Sequence, residues 1–309
     1  MTGVKKLDLT GKLLSAIPDS LIESQGLNEL ILDDNLLSSI PENISRLVEL
    51  ESLSLYKNKL TLLPESLWKL TTLRRLNLAD NLLTELSEGL GDLIHLQMLD
   101  LGHNQVNRLP ESLGRLNNLV FLYLSNNHLS SVPRSLENLV SLVYLNITDN
   151  QLPSFPEDIC QLEHLVELRL YNNRFSELPE SLGHLSDLKE LHLMNNNLAS
   201  LPASIGKMKN LRKLDLQDNK LEELPDSIGE LESLNELNFR NNRLASIPEA
   251  LGRLKKLRFL DLRANQLTSL PVGVGNLSDL DKLDLRWNRS LNVQDWIHRL
   301  EQRGCTVYV

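Results

Sequence analysis

The residues of this chain whose types suit metal binding are two histidines and one aspartate. His103 and His128 are expected near one another at the ends of short strands, and Asp149 is expected on the next coil of the chain. Imidazole and carboxylate groups are ligands that zinc accepts. Nothing in the sequence holds the three side chains at ligand distance, so we interpret them as surface residues and predict no metal site and no cofactor.

Nucleophilic catalysis would need an activated thiol or hydroxyl, and the sequence offers weak candidates. Cys160 lies in the apolar segment DICQL, which is typical of a protein core, and Cys305 lies near the last residue. Neither thiol has an adjacent histidine in the repeat frame to activate it. The sequence also lacks the motifs for phosphate binding, dinucleotide binding, serine hydrolysis and zinc proteolysis. We therefore predict that the chain is not an enzyme.

The composition is that of a folded protein with an acidic surface. The 309 residues include 41 acidic and 32 basic side chains, and the net charge of −9 gives no global attraction to nucleic acid or to an anionic membrane. Two cysteines make no disulfide framework. No apolar run suits a membrane helix, and the first residues lack a signal-peptide pattern. We expect a cytoplasmic protein, with secretion by a signal-independent route as the alternative.

One pattern recurs along the whole chain every 23 residues. An asparagine marks each copy within the sequence LxxLxLxxNxLxxLP, and the copies follow one another without insertion. An earlier copy begins at Val4 and has Lys12 at the asparagine position, so the sequence contains about 13 repeats. The repeated asparagines are Asn35, Asn58, Asn81, Asn104, Asn127, Asn150, Asn173, Asn196, Asn219, Asn242, Asn265 and Asn288.

Each repeat is predicted to form a coil of strand, turn and return segment. Alternation in LxL is typical of a short strand, in which Leu76 and Leu78 point inward and Asn77 points outward. The amide of the marker asparagine is expected to satisfy backbone groups of neighbouring coils. A single coil cannot bury its own apolar side, but a stack of coils forms a continuous aliphatic core.

These motifs resemble those of leucine-rich repeat proteins, and the resemblance covers essentially the whole chain. The 23-residue form with LPxxLGxL resembles the class that includes the Ras suppressor protein, the plant intracellular Ras-group repeats and similar bacterial proteins. The resemblance implies an α/β fold, a right-handed solenoid shaped like a horseshoe with a concave parallel β-sheet. It also implies a role in signalling assemblies such as those of small GTPases. Ser87 departs from the pattern at a proline position, and Ser290 departs at a leucine position.

The last residues predict an element of another kind. Asn292 has the position of a helix N-cap, and Gly304 is a plausible helix stop. Val307 and Val309 repeat the LxL alternation of a strand. The sequence therefore predicts a helix followed by a final strand that caps the stack.

The domain organisation follows from the repeats and this cap. We expect a repeat solenoid at residues 1–290 and a cap at residues 291–309, both within one domain. The first strand leaves an exposed edge, so dimerisation through that edge is an alternative to the monomer that we expect.

The outward strand positions carry the information about function, because folding explains the leucines, asparagines and prolines. Four of the 5 tyrosines fall at these positions, three of them in consecutive repeats. Tyrosine, methionine and arginine are enriched in protein interfaces, although aromatic residues also favour strand surfaces for their own packing. We predict a partner-binding patch in which Arg169 and His192 make directional polar contacts. Its apolar anchors are Met98, Phe121, Tyr123, Tyr144, Tyr171 and Met194.

A row of three arginines lies at outward positions of successive repeats near the end of the chain. Like charges on neighbouring strands repel unless they are offset, and Asp261 and Asp284 are placed to offset them. We interpret the row as a solvated ladder of ion pairs, with a site for an anion or an acidic partner as the alternative. The row consists of Arg240, Arg263 and Arg286, with Trp287 beside the last.

These features together predict a scaffold or recognition protein that binds a protein partner on the concave face of the sheet. Two alternatives are a bacterial secreted effector that acts on host proteins and a recruiting subunit for a separate ligase or kinase. A binder of nucleic acid or phosphate that used the arginine row would lose affinity steeply with salt. Self-assembly through the exposed first strand is a further alternative.

Overall fold

The computed structural model describes residues 5–24 and 26–309. Contacts within the chain group it into two compact units, Met1–Gln151 and Leu152–Val309, and each unit is described by itself. Val4, where the first repeat was predicted to begin, lies outside the described residues.

Short parallel strands, one for each repeat, form the sheet of each unit. Consecutive strands pair in register, so that Leu76 of one strand lies beside Leu53 and Leu99 of its neighbours. In the first unit the strands are β1 (Lys5–Asp8), β2 (Leu27–Ile31), β3 (Ser52–Ser54), β4 (Arg75–Asn77), β5 (Met98–Asp100), β6 (Phe121–Tyr123) and β7 (Tyr144–Asn146). In the second unit they are β8 (Glu167–Arg169), β9 (Glu190–His192), β10 (Lys213–Asp215), β11 (Glu236–Asn238), β12 (Phe259–Asp261), β13 (Lys282–Asp284) and β14 (Thr306–Tyr308).

The return segments of most repeats form single turns of 3-10 helix. Each turn follows a proline or, once, Ser87, and buries the leucine or isoleucine at its third position, or Val274 in the last turn. These turns are Glu42–Arg46, Glu65–Lys69, Glu88–Asp92, Glu111–Arg115, Arg134–Asn138, Glu157–Gln161, Glu180–His184, Ala203–Lys207, Asp226–Glu230, Glu249–Arg253 and Val272–Asn276. Two α-helices are present among the described residues, α1 (Asp19–Ile22) and α2 (Ile297–Gln302).

The marker asparagines hold neighbouring coils together, as predicted. The Nδ2 group of Asn81 donates hydrogen bonds to the carbonyl of Leu78 at 3.0 Å and to that of Leu55, one repeat earlier, at 2.9 Å. Its Oδ1 accepts the backbone N–H of Leu60 at 3.0 Å. The same bonds recur in the other coils of both units, for example at Asn127 and Asn242. The amide thus replaces backbone partners that an irregular turn cannot supply.

The predicted fold class is confirmed in each unit, because strands in chain order form a parallel sheet over an aliphatic core. Leu53, Leu76 and Leu99 are buried beneath the strands, and Leu67 and Leu90 are buried beneath the return turns. No helix among the described residues combines the length and the apolar character needed to cross a membrane.

Trp68 packs on the return side of its repeat, against the turn that follows Ser87 in the next repeat. A Cβ atom at Gly89 would come within 2.2 Å of the Trp68 ring, so the indole occupies the space over that glycine. The Ser87 hydroxyl accepts the backbone N–H of Gly89 at 3.2 Å and so caps the turn that proline precedes in other repeats. The wide side chain in one repeat is therefore matched by small residues in the next.

The C-terminal segment forms the predicted helix and strand, but the predicted N-cap is wrong. Helix α2 begins at Ile297 after Trp296, without a side-chain cap, whereas Asn292 lies five residues earlier in an irregular segment. The helix ends at Gln302, and Gly304 then adopts a φ of +94° that suits glycine. Strand β14 pairs with β13, with Val307 beside Leu283.

Candidate functional site

An aromatic patch covers the outer face of β5, β6 and β7 in the first unit, and consists of Met98, Phe121, Tyr123 and Tyr144. Strand register places Met98 beside Phe121, and Phe121 beside Tyr144. The rings of Tyr123 and Tyr144 are tilted by 38°, with centroids 4.9 Å apart. Those of Phe121 and Tyr144 are 6.5 Å apart. The patch is therefore one contiguous surface and not a set of isolated side chains.

The patch remains accessible although its rings touch one another. Phe121 exposes 41% of its surface, and the other three side chains are half-buried. The neighbouring rings restrict the rotation of the tyrosines, which lowers the entropy that a partner must remove on binding. Such preorganised aromatic groups are the type of residue that dominates interface energetics.

An aspartate that the sequence did not single out lies beside this patch. Asp100 is in register with Tyr123 on the adjacent strand, and its Oδ1 accepts the backbone N–H of Gly102 at 2.9 Å. Burial raises the pKa of the Asp100 carboxyl, and the Gly102 hydrogen bond offsets this only in part. The outward position between the two strand leucines occurs in every repeat, so sequence position alone does not distinguish Asp100.

The second unit contains the other four residues of the predicted patch, in a different environment. Arg169 donates from Nε to Oε1 of Glu167 at 2.5 Å, so its guanidinium is engaged locally. His192 is only 7% exposed and lies 3.1 Å from a Glu190 oxygen, so it presents little surface to a partner. The two remaining side chains, Tyr171 and Met194, are half-buried on the outer face.

The glutamates beside Arg169 and His192 form a cluster that the sequence analysis missed. One ligand atom from each of Glu167, Glu190 and His192 lies within 4.8 Å of the other two. It is the one group of this kind found among the described residues, and it does not include His103, His128 or Asp149. The sequence could have indicated this cluster, because the three residues occupy adjacent outward positions of two consecutive repeats.

Two of the three arginines form predicted ion pairs on the outer face of β12 and β13, but the Asp284 carboxylate that they share is buried and not solvated. Arg263 bonds Asp261 through its guanidinium and lies 3.5 Å from Asp284. Arg286 Nη2 lies 2.6 Å from Oδ2 of Asp284. Burial would raise the pKa of Asp284, but the hydrogen bond and charge of Arg286, together with Arg263, outweigh it and lower that pKa.

Arg240 and Trp287 stand apart from these pairs. The guanidinium of Arg240 lies 5.7 Å from the centroid of the Trp287 ring, and Arg286 lies 5.9 Å from it. Among the described residues no carboxylate pairs with Arg240. Trp287 is 60% exposed and has a φ of +67°, a left-handed conformation that disfavours bulky side chains. The same turn position has a positive φ in other repeats, for example Ala264 at +52°, so the repeat produces this conformation without an indole.

A cavity of about 210 Å³ opens on the outer face of β10 to β13. Its polar lining includes Asp215, Asn238, Asp261, Lys282 and Asp284. Burial raises the pKa of Asp215, while the backbone N–H of Gln217 acts in the opposite direction. The volume is below that of ordinary small-molecule sites, and Asp261 and Asp284 already bind arginines, so we assign it no ligand.

The candidate thiols are buried, as predicted for Cys160. Cys160 is fully buried, and desolvation raises its pKa to about 11. Cys305 is also buried, and desolvation raises its pKa. A buried thiol with a raised pKa is a poor nucleophile, so neither residue suits covalent catalysis.

Comparisons with known proteins agree with this architecture. The family model described as leucine-rich repeat region matches residues 64–169, 128–216, 156–239 and 203–302, and the leucine rich repeat model matches residues 25–83. No curated protein sequence matches the chain significantly.

Three solved structures illustrate the similarity. A leucine-rich repeat protein of Leptospira interrogans is 33% identical with a TM-score of 0.90, over 99% of this chain and 84% of that chain. The plant peptide hormone receptor RGFR1, in complex with RGF2, is 30% identical with a TM-score of 0.75, over 92% of this chain. The chain spans 51% of that receptor chain. An internalin, inlF, of Listeria monocytogenes is 22% identical with a TM-score of 0.86, over 99% of this chain and 86% of that chain, which shows the fold alone.

Proposed function

Because the chain belongs to the leucine-rich repeat family, we propose that it is a non-enzymatic recognition or scaffold protein that binds a protein partner on the exposed face of its sheet. The structure of the similar plant receptor RGFR1 holds RGF2, which supports binding as the type of activity. The 23-residue repeat further supports membership of the intracellular class that resembles the Ras suppressor protein, and with it a role in signalling.

The aromatic patch is the observation that carries this proposal. The fold requires only leucines on the inner side of β5 to β7, whereas the outer side holds the neighbouring rings of Phe121, Tyr123 and Tyr144. Met98 lies in register beside Phe121. Interfaces concentrate their binding energy in a few aromatic anchors of this kind, surrounded by polar groups that exclude water. We expect the patch to be the centre of a larger contact of about 800 Å² on each partner.

The experiment is partner capture followed by affinity measurement with the purified partner. The double variant Tyr123→Ala/Tyr144→Ala should weaken the Kd by at least about tenfold, because each truncated hot-spot residue costs 1–2 kcal/mol or more. Tyr56→Ala is the matched control, since Tyr56 lies on the same face, is 40% exposed and stands outside the patch. Equal affinity in the wild type and the double variant, with both folded, would place the interface elsewhere.

A second candidate interface is the pair Arg240 and Trp287, for an acidic segment of a partner. A carboxylate bound to Arg240 would supply the counter-charge that the described residues do not, and Trp287 offers an exposed apolar surface beside it. If this pair binds the partner, Arg240→Gln should lower affinity and also reduce its dependence on salt. Arg243→Gln is the control, because Arg243 is exposed and already pairs with Glu222.

We further propose that the protein acts in the cytoplasm. Cys160 and Cys305 are both free thiols, which supports a reducing compartment. Fractionation of the source cells tests this directly, and recovery of the protein outside the cytoplasmic fraction would overturn it.

A further inference from the structure

We propose that Glu167, Glu190 and His192 form a binding site for one divalent transition-metal ion of the zinc type. The three side chains offer two carboxylates and one imidazole, and their ligand atoms lie within 4.8 Å of one another. Donor atoms that bind zinc at about 2.0–2.2 Å lie roughly 3.3–3.6 Å apart around a regular tetrahedral ion. His192 Nε2 and Glu190 Oε2 are 3.1 Å apart, so a small outward movement of the glutamate gives these two ligands that spacing.

The sheet holds the ligands in place without help from loops. Glu167 is in register with Glu190, and His192 follows two residues after Glu190 on the same face of β9. His192 is buried, so packing restricts its ring. The glutamate side chains are part-exposed and long enough to bring their carboxylates from the present separation of up to 4.8 Å to the spacing around a bound ion. Ligands on rigid strands with one restricted histidine form a preorganised site.

The local charges favour a cation between the two glutamates. Like charges at paired positions of adjacent strands are unfavourable, and Glu167 and Glu190 form such a pair. Arg169 compensates Glu167, whereas among the described residues the Glu190 carboxylate pairs with the His192 imidazole. Lys213, the next residue across the sheet, lies 3.3 Å from Glu236 instead. A divalent ion would neutralise both carboxylates at once.

The ligand types select the class of metal. Neutral imidazole binds zinc and similar transition metals, whereas calcium and magnesium prefer sites built only from oxygen. Three protein ligands leave one coordination position of a tetrahedral ion open to solvent. Arg169 competes with the metal for Glu167, so the wild-type site is weakened by its own cation.

Calorimetric titration of the full chain with Zn²⁺, supported by competition with a chromophoric chelator, tests the site. We expect one equivalent to bind the wild type, and Glu190→Gln and His192→Gln to weaken that Kd by at least about tenfold, since changes even beyond the ligands cost that much. Glu236→Gln is the matched control, because Glu236 occupies the Glu190 position two repeats later. Circular dichroism checks the fold of each variant.

A variant that improves binding separates this site from adventitious zinc on surface histidines. Arg169→Gln removes the competing cation and should tighten zinc binding severalfold, with the same one-to-one stoichiometry. Co²⁺ added to the wild type should give the visible absorption of a four- or five-coordinate ion, which His192→Gln should abolish. Equal zinc affinity in the wild type, Glu190→Gln and His192→Gln would overturn the site, as would no one-to-one binding to the wild type. None of these metal-binding measurements involves a protein partner, so their result is independent of the protein-binding proposal.

Discussion

Arg286 donates from Nη2 to Oδ2 of Asp284 over 2.6 Å, and the aspartate it binds is completely buried. Arg263 approaches the same carboxylate at 3.5 Å from the neighbouring strand. The carboxylate thus receives two guanidinium groups from successive repeats. Exposed ion pairs contribute little to stability, whereas this carboxylate is buried beneath the outer face of the sheet. A single buried anion therefore makes two like-charged arginines compatible with each other.

Replacement of this anion should destabilise the protein. Asp284→Asn removes the buried anion that both arginines approach, and we expect a loss of about 2 kcal/mol in the free energy of unfolding, because Arg286 loses its carboxylate partner whereas Arg263 keeps Asp261 and solvent screens the part-exposed Arg286. Urea denaturation at neutral pH measures this. Asp281→Asn is the control, since Asp281 forms an exposed pair with Arg258, and it should cost under about 1 kcal/mol.

The same pair predicts a pH dependence. The pKa of Asp284 is lower in the folded protein than its ordinary value, so its contribution to stability is fully present above the unfolded pKa and is lost as the pH falls through the folded pKa. The stability difference between the wild type and Asp284→Asn should be constant above about pH 5 and shrink below about pH 4. A difference that grows on acidification would contradict the ion pair.

The asparagine ladder gives a prediction that applies to any interior repeat. Asn81→Ala would leave the buried Leu60 N–H without a partner, while the Leu55 carbonyl would keep its hydrogen bond from Asn58. We expect a cost of about 2–3 kcal/mol, because an unsatisfied buried donor carries its full desolvation penalty. Asn118→Ala removes one exposed hydrogen bond to the Ile94 carbonyl and should cost under about 1 kcal/mol. Thermal or urea unfolding compares the two variants.

The repeat and its ladder were predictable from sequence because one local rule recurs in every coil. Leu76, Leu78 and Asn81 each have a role that depends only on their place in the repeat, so counting along the chain is enough. The helix near the C terminus occurs once, and its start was misplaced at Asn292 because packing of Ile297, and not capping chemistry, determines where it begins.

The candidate sites were less predictable because they depend on pairs across strands. The sequence indicated that Tyr123 and Tyr144 share a face, but their 4.9 Å separation follows from rotamers that no repeat pattern specifies. The engagement of His192 with Glu190 was missed for the same reason. Outward positions are free to vary, so their side-chain directions depend on neighbours rather than on position in the repeat.

The buried thiols should resist alkylation while the protein is folded. Cys160 is fully buried with a pKa of about 11, so at pH 8 almost none of it is the reactive thiolate. We expect no reaction of native protein with a thiol reagent on the minute timescale, and two thiols to react in denaturant. In Cys160→Ser, the remaining Cys305 should react faster than Cys160 does in Cys305→Ser, because it needs only the terminal helix and strand to open. Equal rates would show that both thiols become accessible in one cooperative opening.

The left-handed backbone conformation of Trp287 should lower the stability of the folded protein. A pair of variants separates this backbone cost from the effect of removing the indole ring. Both Trp287→Ala and Trp287→Asn remove the contacts with Arg240 and Arg286. Asparagine adopts the left-handed conformation at lower cost than alanine, and Asn241 holds it at φ +55° two repeats earlier, although Ala264 holds it at φ +52° one repeat earlier. Trp287→Asn should therefore be about 1 kcal/mol more stable than Trp287→Ala by urea denaturation. Equal stability of the two variants would mean that the local backbone relaxes. If Trp287→Asn also matches or exceeds the wild type while weakening partner binding, the tryptophan is retained for recognition at the expense of stability.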